Sequence, residues 1–525
     1  MRKIVLAFLL ATQMLYAQLD KNVEVEVVGR PSWQMMIPMQ EEGLVFLVKS
    51  DVTKAMVFRF DKDLNKIWEK EVFLDAEDPP KAYTIADDHI SLMFSETSGM
   101  YYQVFEFDLS TGEVDQDGFE LREFFVDQDY VFLGDKVVMA GSNEKGAAFF
   151  IHDFKDDLGA LKEQSDITGK VSVNLFEYLP ESNIIESLWA VKTTGYANEK
   201  KKKGEFVKDA YIVHALLDTA GNVISKTNIR QSGGKFPIDA RLVRLDGDKK
   251  LVVGTYQSNA GDKGIYAFDL NGEQQLKTYS FSSVLSGRQS LSVEDLQALM
   301  TSYQFMANQP VKGNGSVFFG GAFIKAQFQT VTENDPNYNY SPYSRGYNRY
   351  SPYYSNRNSR TTTRQVFRGY HYPLGFVLEL TENGDLIQSN RIDINNVSFQ
   401  VEPALAFNER GAVAYCLKGD LATNNFAIGN KPMLYKLSED NRTNLAPSSL
   451  SAIPAYNGVK YWYDNYFIAE GARSKVEAVS VSDDLLKEQQ AKKRKGLFGR
   501  KKESTPSTYA QVRKIIYLTK VASGG

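Results

Sequence analysis

The 525-residue sequence predicts an all-β protein assembled from a repeated four-stranded unit, and three observations carry that expectation. Short apolar runs that alternate with polar residues dominate the chain, broken by Asp, Asn and Gly turns, while helical periodicity is almost absent. One hairpin pattern, an apolar strand, a polar turn and a second strand, recurs from one end to the other. Two further strand patterns precede each hairpin, as in "AYTIADD" and "HISLMFSE" (82–96) or "ARLVRLDG" and "KLVVGTYQ" (240–257).

The hairpins read "VFRFDKDLNKIWEKEV" (57–72), "VFEFDLSTGEV" (104–114), "FFIHDFKDDLGAL" (149–161), "VHALLDTAGNVISK" (213–226), "IYAFDLNGEQQLK" (265–277), "FVLELTENGDLIQ" (376–388), "MLYKLSEDNRTNL" (433–445) and, as a single strand, "KIIYLTKV" (514–521). Their turns begin at Asp61, Asp108, Asp153, Asp218, Asp269, Thr381, Ser438 and Thr519. The closest successive turns are 47 and 45 residues apart, a repeat of roughly 40–50 residues that matches one blade of a propeller. Four strands per unit, repeated about eight times, resembles a β-propeller over most of residues 31–521. Seven blades is the alternative count, if one blade has been split. "FDLSTGE" (107–113) resembles the Asp-x-x-Thr-Gly turn of quinoprotein-like repeats, Trp68 stands where such repeats carry tryptophan, and the blades are weakly similar to WD40-like ones. The resemblance implies architecture only; it implies no cofactor.

The eighth unit stops after its third strand near Val521, while a spare strand, "NVEVEVVGR" (22–30), precedes the first unit. If that strand completes the last blade, the ring closes and no long sheet edge is left open. Residues 18–525 are therefore expected to form a single β-propeller domain.

Residues 1–17, "MRKIVLAFLLATQMLYA", place Arg2 and Lys3 before an apolar run and end on a small residue, the pattern of a signal peptide. No apolar run approaches the roughly 20 residues of a membrane-spanning helix, so no transmembrane segment is expected. The chain is expected to be exported, periplasmic or extracellular, with peripheral association with an outer membrane. Its only cysteine, Cys416, excludes an internal disulfide and leaves the core to hold the fold. A net charge of −4 argues against nucleic acid as a partner.

The basic residues are instead clustered in three insertions, 193–209, 329–370 and 481–507, each between the second and third strands of a blade. The first contains Lys200, Lys201, Lys202 and Lys203. The second carries seven tyrosines and four arginines within 337–360: Tyr338, Tyr340, Tyr343, Arg345, Tyr347, Arg349, Tyr350, Tyr353, Tyr354, Arg357 and Arg360, followed by His371. The third carries Lys492, Lys493, Arg494, Lys495 and Arg500 around Leu497 and Phe498. In a propeller the second-to-third connections and the blade-to-blade connections share one face of the disc. The one convincing helix, "SVEDLQALMTSY" (292–303) with Ser292 as N-cap, lies in such a connection. Insertions gathered on one face of a repeat protein mark a binding face, and tyrosine with arginine suits recognition. For any single insertion, a solvated loop is the plainer alternative.

Residues for chemistry are few. Of the four histidines, His152 and His214 read as hairpin-strand residues, His89 follows Asp87 and Asp88 at a strand junction, and no two share the spacing of a zinc site. "DKDLNK" (61–66) begins like a calcium loop, but Lys66 replaces the required glycine and Val72 the bidentate glutamate, so it reads as a turn. "GNGSVFFGG" (313–321) has Phe318 at the third glycine position of a dinucleotide loop and sits in a strand context. Cys416 lies in an apolar strand, as a buried, unreactive thiol would. Glu186, Asp239 and Glu402 are carboxylates near strands that approach the channel, where a propeller glycosidase would need them. The sequence thus reads as a non-enzymatic envelope propeller, a scaffold or lid subunit that takes no cofactor or metal. Its partner would be another envelope protein or an anionic glycan or lipid surface. The alternative is a carbohydrate-binding or carbohydrate-active propeller that uses its central channel.

Overall fold

A computed structural model describes residues 19–28, 31–80, 82–86, 88–96, 99–192, 209–272, 274–285, 291–334, 361–398, 401–425, 433–435, 455–480 and 508–523. Alternation of apolar and polar residues makes each strand two-faced, and strands joined by tight turns pair with their neighbours in order. The result, among the described residues, is eight antiparallel sheets, one per repeat unit, a β-propeller with eight described blades where seven was the alternative count.

Blade 1 is built from Gln34–Pro38, Leu44–Asp51, Lys54–Phe60 and Lys66–Phe73. Blades 2 and 3 follow the same plan up to Thr168, and blade 4 comprises Lys170–Leu179, Ile184–Lys192, Ala210–Asp218 and Val223–Ile229. In blades 5 and 6 the first strand is broken in two, Lys235–Pro237 with Arg241–Arg244 and Gln304–Ala307 with Val311–Lys312. Blade 8 takes Ala455–Tyr463, Tyr466–Ser480 and Thr508–Ala522 from the end of the chain, and Leu19–Val28 as its outer strand. That strand runs antiparallel to the third from Leu19 opposite Val521 to Val28 opposite Arg513. The ring closes as the spare strand predicted.

Each blade buries an apolar face against the next, and a separate apolar cluster fills each seam around the ring. The seam between blades 8 and 1 is one of them: Val25, Phe46, Phe60, Trp462 and Leu518 meet there. It is also bridged by Trp462 Nε1 donating to the Gly43 carbonyl at 2.8 Å and by Lys460 Nζ donating to the Met36 carbonyl at 2.9 Å. Lys520 Nζ sits 4.1 Å from the Tyr466 ring centre and donates to the Lys62 carbonyl of the first blade's turn.

The recurrent aspartate of the hairpins is a turn acceptor. Asp61 Oδ1 accepts from the backbone of Asp63 and Asn65, both at 2.8 Å, so the calcium-like stretch is the turn that Lys66 implied. Asp108, Asp218 and Asp269 do the same for the residues that follow them. At Thr381 the hydroxyl takes over the role, accepting from Asp385 N at 3.0 Å.

Several of these turns are held by the outer strand of the preceding blade. Trp68 Nε1 donates to the Leu109 carbonyl at 3.0 Å, and its ring covers Gly112, whose φ of 71° favours glycine. Lys162 and Gln164 donate to the carbonyls of Ala220 and Gly221, and Tyr279 Oη donates to the Gly384 carbonyl at 2.7 Å. An indole, an ammonium and a phenol thus perform one task at related places, so the sequence shows no repeated docking residue.

Blade 7 departs from the expected register. Met433–Tyr435, read as a third strand leading to a turn at Ser438, is instead the outer strand and pairs with Asp420–Asn425. The true third strand, "DLATNN", is polar enough to pass for a loop. It is set by Lys418 and Gly419, both at positive φ (49° and 88°), which fold the second strand back in two residues. Ser438 itself lies outside the described residues. A second correction concerns the insertion 329–370, whose flanks are strand: Ser316–Asn334 and Thr361–Thr381 pair from Ser316 opposite Thr381 out to Asn334 opposite Thr361. The helix is found at Val293–Ser302, with Ser292 Oγ accepting from Asp295 N, and a short helical turn at Phe281–Val284 accompanies it.

The Trp68–Gly112 contact gives a stability test. Glycines 99 and 112 both have positive φ, but a β-carbon at position 99 meets open space while one at 112 stands 2.7 Å from Trp68 Cδ2. Both alanine substitutions carry backbone strain of about 1 kcal/mol; Gly112→Ala is expected to cost roughly 1–3 kcal/mol more through overpacking. Urea midpoints of the two variants compare them directly, and equal shifts would count against the docking contact.

Candidate functional site

Because successive strands of a blade run in opposite directions, the second-to-third connections and the blade-to-blade connections emerge at one end of every sheet. Three sets of described elements meet at that end: two projecting hairpins, the helix, and a crevice between blades 4, 5 and 6.

In blade 6 the inner strand pairs no further than Ile324 and the outer strand no further than Ser398, opposite Tyr370. Beyond these points the hairpin from Gln327 to Asn334 and Thr361 to Gly369 continues as two strands alone, an arm of about 25 Å. Its base is fastened by an aromatic cross-strand pair, Phe328 and Phe367, 5.6 Å apart, and Tyr370 lies 5.1 Å from Phe367. Phe328 is 59% exposed, so this pair leaves apolar surface in solvent. Blade 8 carries a shorter arm, Val476–Ser480 with Thr508–Val512.

Most of the residues expected to form the binding face are not among the described ones. Tyr338, Tyr340, Tyr343, Arg345, Tyr347, Arg349, Tyr350, Tyr353, Tyr354, Arg357 and Arg360 lie outside the described residues, as do Lys200 to Lys203 and Lys492, Lys493, Arg494, Lys495 and Arg500. So do residues 1–17. His371 is described, and it is a clamp at the root of the long arm. Its Nδ1 is 3.0 Å from Tyr303 Oη and its Nε2 3.3 Å from Asn395 Oδ1. Tyr303 follows the helix directly, so this contact ties helix to arm, and Lys325 Nζ stands 5.3 Å from the Tyr303 ring centre.

The crevice has a volume of about 360 Å³. Lys170 and Lys192 come from blade 4, Asp239 and Lys263 from blade 5, and Tyr303 and Phe305 from the approach to blade 6. Lys263 Nζ donates to the Met300 carbonyl at 2.8 Å, and burial lowers its pKa. Asn174 Oδ1 accepts from Ala240 N at 3.0 Å, which leaves its Nδ2 as a donor. Asp239, considered for the channel, lies in this crevice instead. It accepts from Thr255 N at 2.7 Å and Thr255 Oγ1 at 2.8 Å, fixing the break in the first strand of blade 5.

Among the first strands, which face the channel, lies a cavity of about 510 Å³, with Tyr83, Met306, Phe407 and Tyr461 in its wall and Arg241 and Lys460 as its charges. Neither remaining candidate carboxylate lines it. Glu186 is fully buried in the second strand of blade 4, held by His214 Nε2 at 2.7 Å, Lys250 Nζ at 2.6 Å and Arg244 Nη2 at 2.7 Å. Burial alone would raise its pKa, but these three hydrogen bonds hold it down at about 2. It is a structural charge, and His214 is its partner. His152 stacks on Phe119 at 4.4 Å, and His89 Nδ1 bonds Asp88 at 2.7 Å. Cys416 is buried and burial raises its thiol pKa, as its apolar strand suggested.

Glu402 and Glu470 were missed as a pair, being 68 residues apart in sequence. Glu470 is fully buried; among the described residues it accepts one hydrogen bond, from Gln34 Nε2 at 2.8 Å, and its Oε2 has no hydrogen-bond partner. Burial first, then the Glu402 charge, push Glu470 up to about 8. Lys460 lies 4.0 Å from Glu402, and Lys514 Nζ donates to Gln34 Oε1 at 3.0 Å. The unfolded carboxyl titrates near about 4.3, so between that pH and 8 the folded state binds the extra proton. This contribution to stability is therefore full in acid and lost as pH rises through about 8. Glu470→Gln is expected to flatten that slope and to raise stability above pH 8 by more than about 1 kcal/mol. Denaturant midpoints measured across pH 5 to about 9 check it; parallel curves for both proteins would contradict the assignment.

No protein-family model matches the chain, and neither does any curated protein. Solved structures with a similar course include the propeller of Dos1, at 13% identity over 76% of this chain and 79% of that one, with a TM-score of 0.37. The polysaccharide lyase Uly1 is 9% identical over 85% of this chain and 90% of its own (TM-score 0.38). Hydrazine synthase of Kuenenia stuttgartiensis is 8% identical over 76% and 95% (TM-score 0.37). Likeness at this level is one of architecture, and architecture hosts unrelated activities.

Proposed function

We propose that the chain is an exported β-propeller that acts by binding, as a scaffold or accessory subunit whose arm-bearing face docks another protein of the cell envelope. The observation that carries this reading is the convergence on one face of two extended hairpins, a capped helix and an aromatic pair left in solvent at the root of the longer arm. A two-stranded hairpin projecting beyond its sheet buries little by itself, so arms of this length are surface made available to a partner. The tyrosine- and arginine-rich segment joins the ends of one arm, and the lysine-rich segment joins the ends of the other.

The test is affinity purification with in-cell crosslinking from the native envelope. It compares the intact chain with one in which 335–360 and 481–507 are replaced by short Gly-Ser turns. A stoichiometric partner that is lost with these segments is the expected result, and an unchanged set of co-purifying proteins would overturn the reading. Export itself is checked by sequencing the N-terminus of the mature protein, expected at Gln18.

A second reading, sugar binding through the channel, is favoured by one observation, the aromatic wall of Tyr83, Phe407 and Tyr461 beside Arg241. Substituting Tyr83 and Tyr461 by Ala and finding lost retention on a neutral polysaccharide column would favour it over docking.

A further inference from the structure

We infer that the crevice between blades 4, 5 and 6 is a binding site for a carboxylate-bearing sugar, a hexuronate unit at the end of a glycan. The inference goes beyond protein docking and does not depend on it.

Its charges are arranged for an anion. Lys170 and Lys192 are directly opposite one another in the ladder of blade 4, at the mouth of the crevice. Like charges in that position destabilise a sheet, and neither lysine has an acidic partner among the described residues. Lys263 reaches in from blade 5, half-buried, and its one hydrogen bond among the described residues goes to a main-chain carbonyl and not to a carboxylate. An ammonium taken partly out of water without a counter-charge is costly, and a ligand carboxylate would supply that counter-charge. The acid in the lining, Asp239, accepts from Thr255 N and Oγ1 and offsets one of the three cations, so the lining still carries two positive charges in excess.

The remaining lining asks for more than a small inorganic anion. Asn174 Nδ2, Gln257, Gln304 and Ser172 offer neutral donors and acceptors of the kind that match sugar hydroxyls. Tyr303 and Phe305 offer flat apolar faces, and Tyr303 is held in place by His371. A pyranose carries hydroxyls on its rim and C–H groups on its face, so it satisfies both. The volume of about 360 Å³ lies at the lower end of small-molecule pockets, about 300–1,000 Å³, which suits a short fragment.

The experiment is calorimetric titration of the mature chain with digalacturonate, with its dimethyl ester, which keeps the rings and removes the charge, and with inorganic phosphate. Digalacturonate is expected to bind with the ester at least about tenfold weaker, and phosphate to compete poorly. Lys263→Gln is expected to weaken digalacturonate by about tenfold or more while leaving ester binding as it was. Should that variant fold poorly, the exposed double substitution Lys170→Gln with Lys192→Gln decides: it should weaken the acid and reduce the salt dependence of its binding. Acid and ester binding alike, phosphate competing as well as the sugar, or no binding tighter than about 1 mM would each overturn the inference.

Discussion

Every seam in this molecule depends on closure of the ring. A blade has two apolar faces, and in an open array the first and last blades would each present one of them to water. Here the last seam is made by strands from opposite ends of the described chain: Leu19–Val28 completes blade 8, and its Val25 and Val27 join Phe46, Phe60 and Leu518 in the cluster shared with blade 1. Polar groups bridge the same seam, with the indole of Trp462, the ammonium of Lys460 and the amide of Gln34 all reaching across it. Backbone carbonyls of blade 1 accept the first two, so the register between the blades is fixed by directional bonds as well as by packing.

The two buried glutamates show what the fold tolerates in such seams. Glu186 is surrounded by His214, Arg244 and Lys250, which together supply the hydrogen bonds a buried carboxylate needs. Glu470 faces a second carboxylate and has one amide donor, so the neutral form is favoured. The first case is a charge that locks blades 4 and 5 together. The second makes the closing seam sensitive to proton concentration, because the group that bridges to Gln34 is the one that titrates.

How much of this was legible in the sequence depended on whether the signal was local. The Asp that opens each turn is a local device, since its carboxylate satisfies the backbone of the next few residues, and it marked six hairpins together with the Thr381 variant. The strand at Asp420–Asn425 was hidden because its identity comes from a two-residue turn at Lys418 and Gly419, not from apolar alternation. Turn docking left no common residue to read, since Trp68, Lys162 and Tyr279 achieve it with different chemistry. The carboxylates were misplaced for a related reason: strand order says which blade a residue belongs to, while its side of the sheet and its neighbours in the next blade are tertiary. The crevice is the extreme case, as Asn174, Lys263 and Tyr303 come from three blades and share no motif.

Tyr303 connects the two features of the decorated face. Its ring lines the crevice, and its hydroxyl meets His371 at the root of the blade 6 arm, where Lys325 also lies over it. The backbone N–H of Tyr303 closes the helix by donating to the Leu299 carbonyl, and the neighbouring Met300 carbonyl receives Lys263. One turn of helix therefore positions a cation inside the crevice and an aromatic ring between crevice and arm. A rigid blade framework beneath and variable connections above is the usual division of labour between scaffold and site. In this chain the division runs through a single residue, so any displacement of the arm that moves His371 also acts on the wall of the crevice.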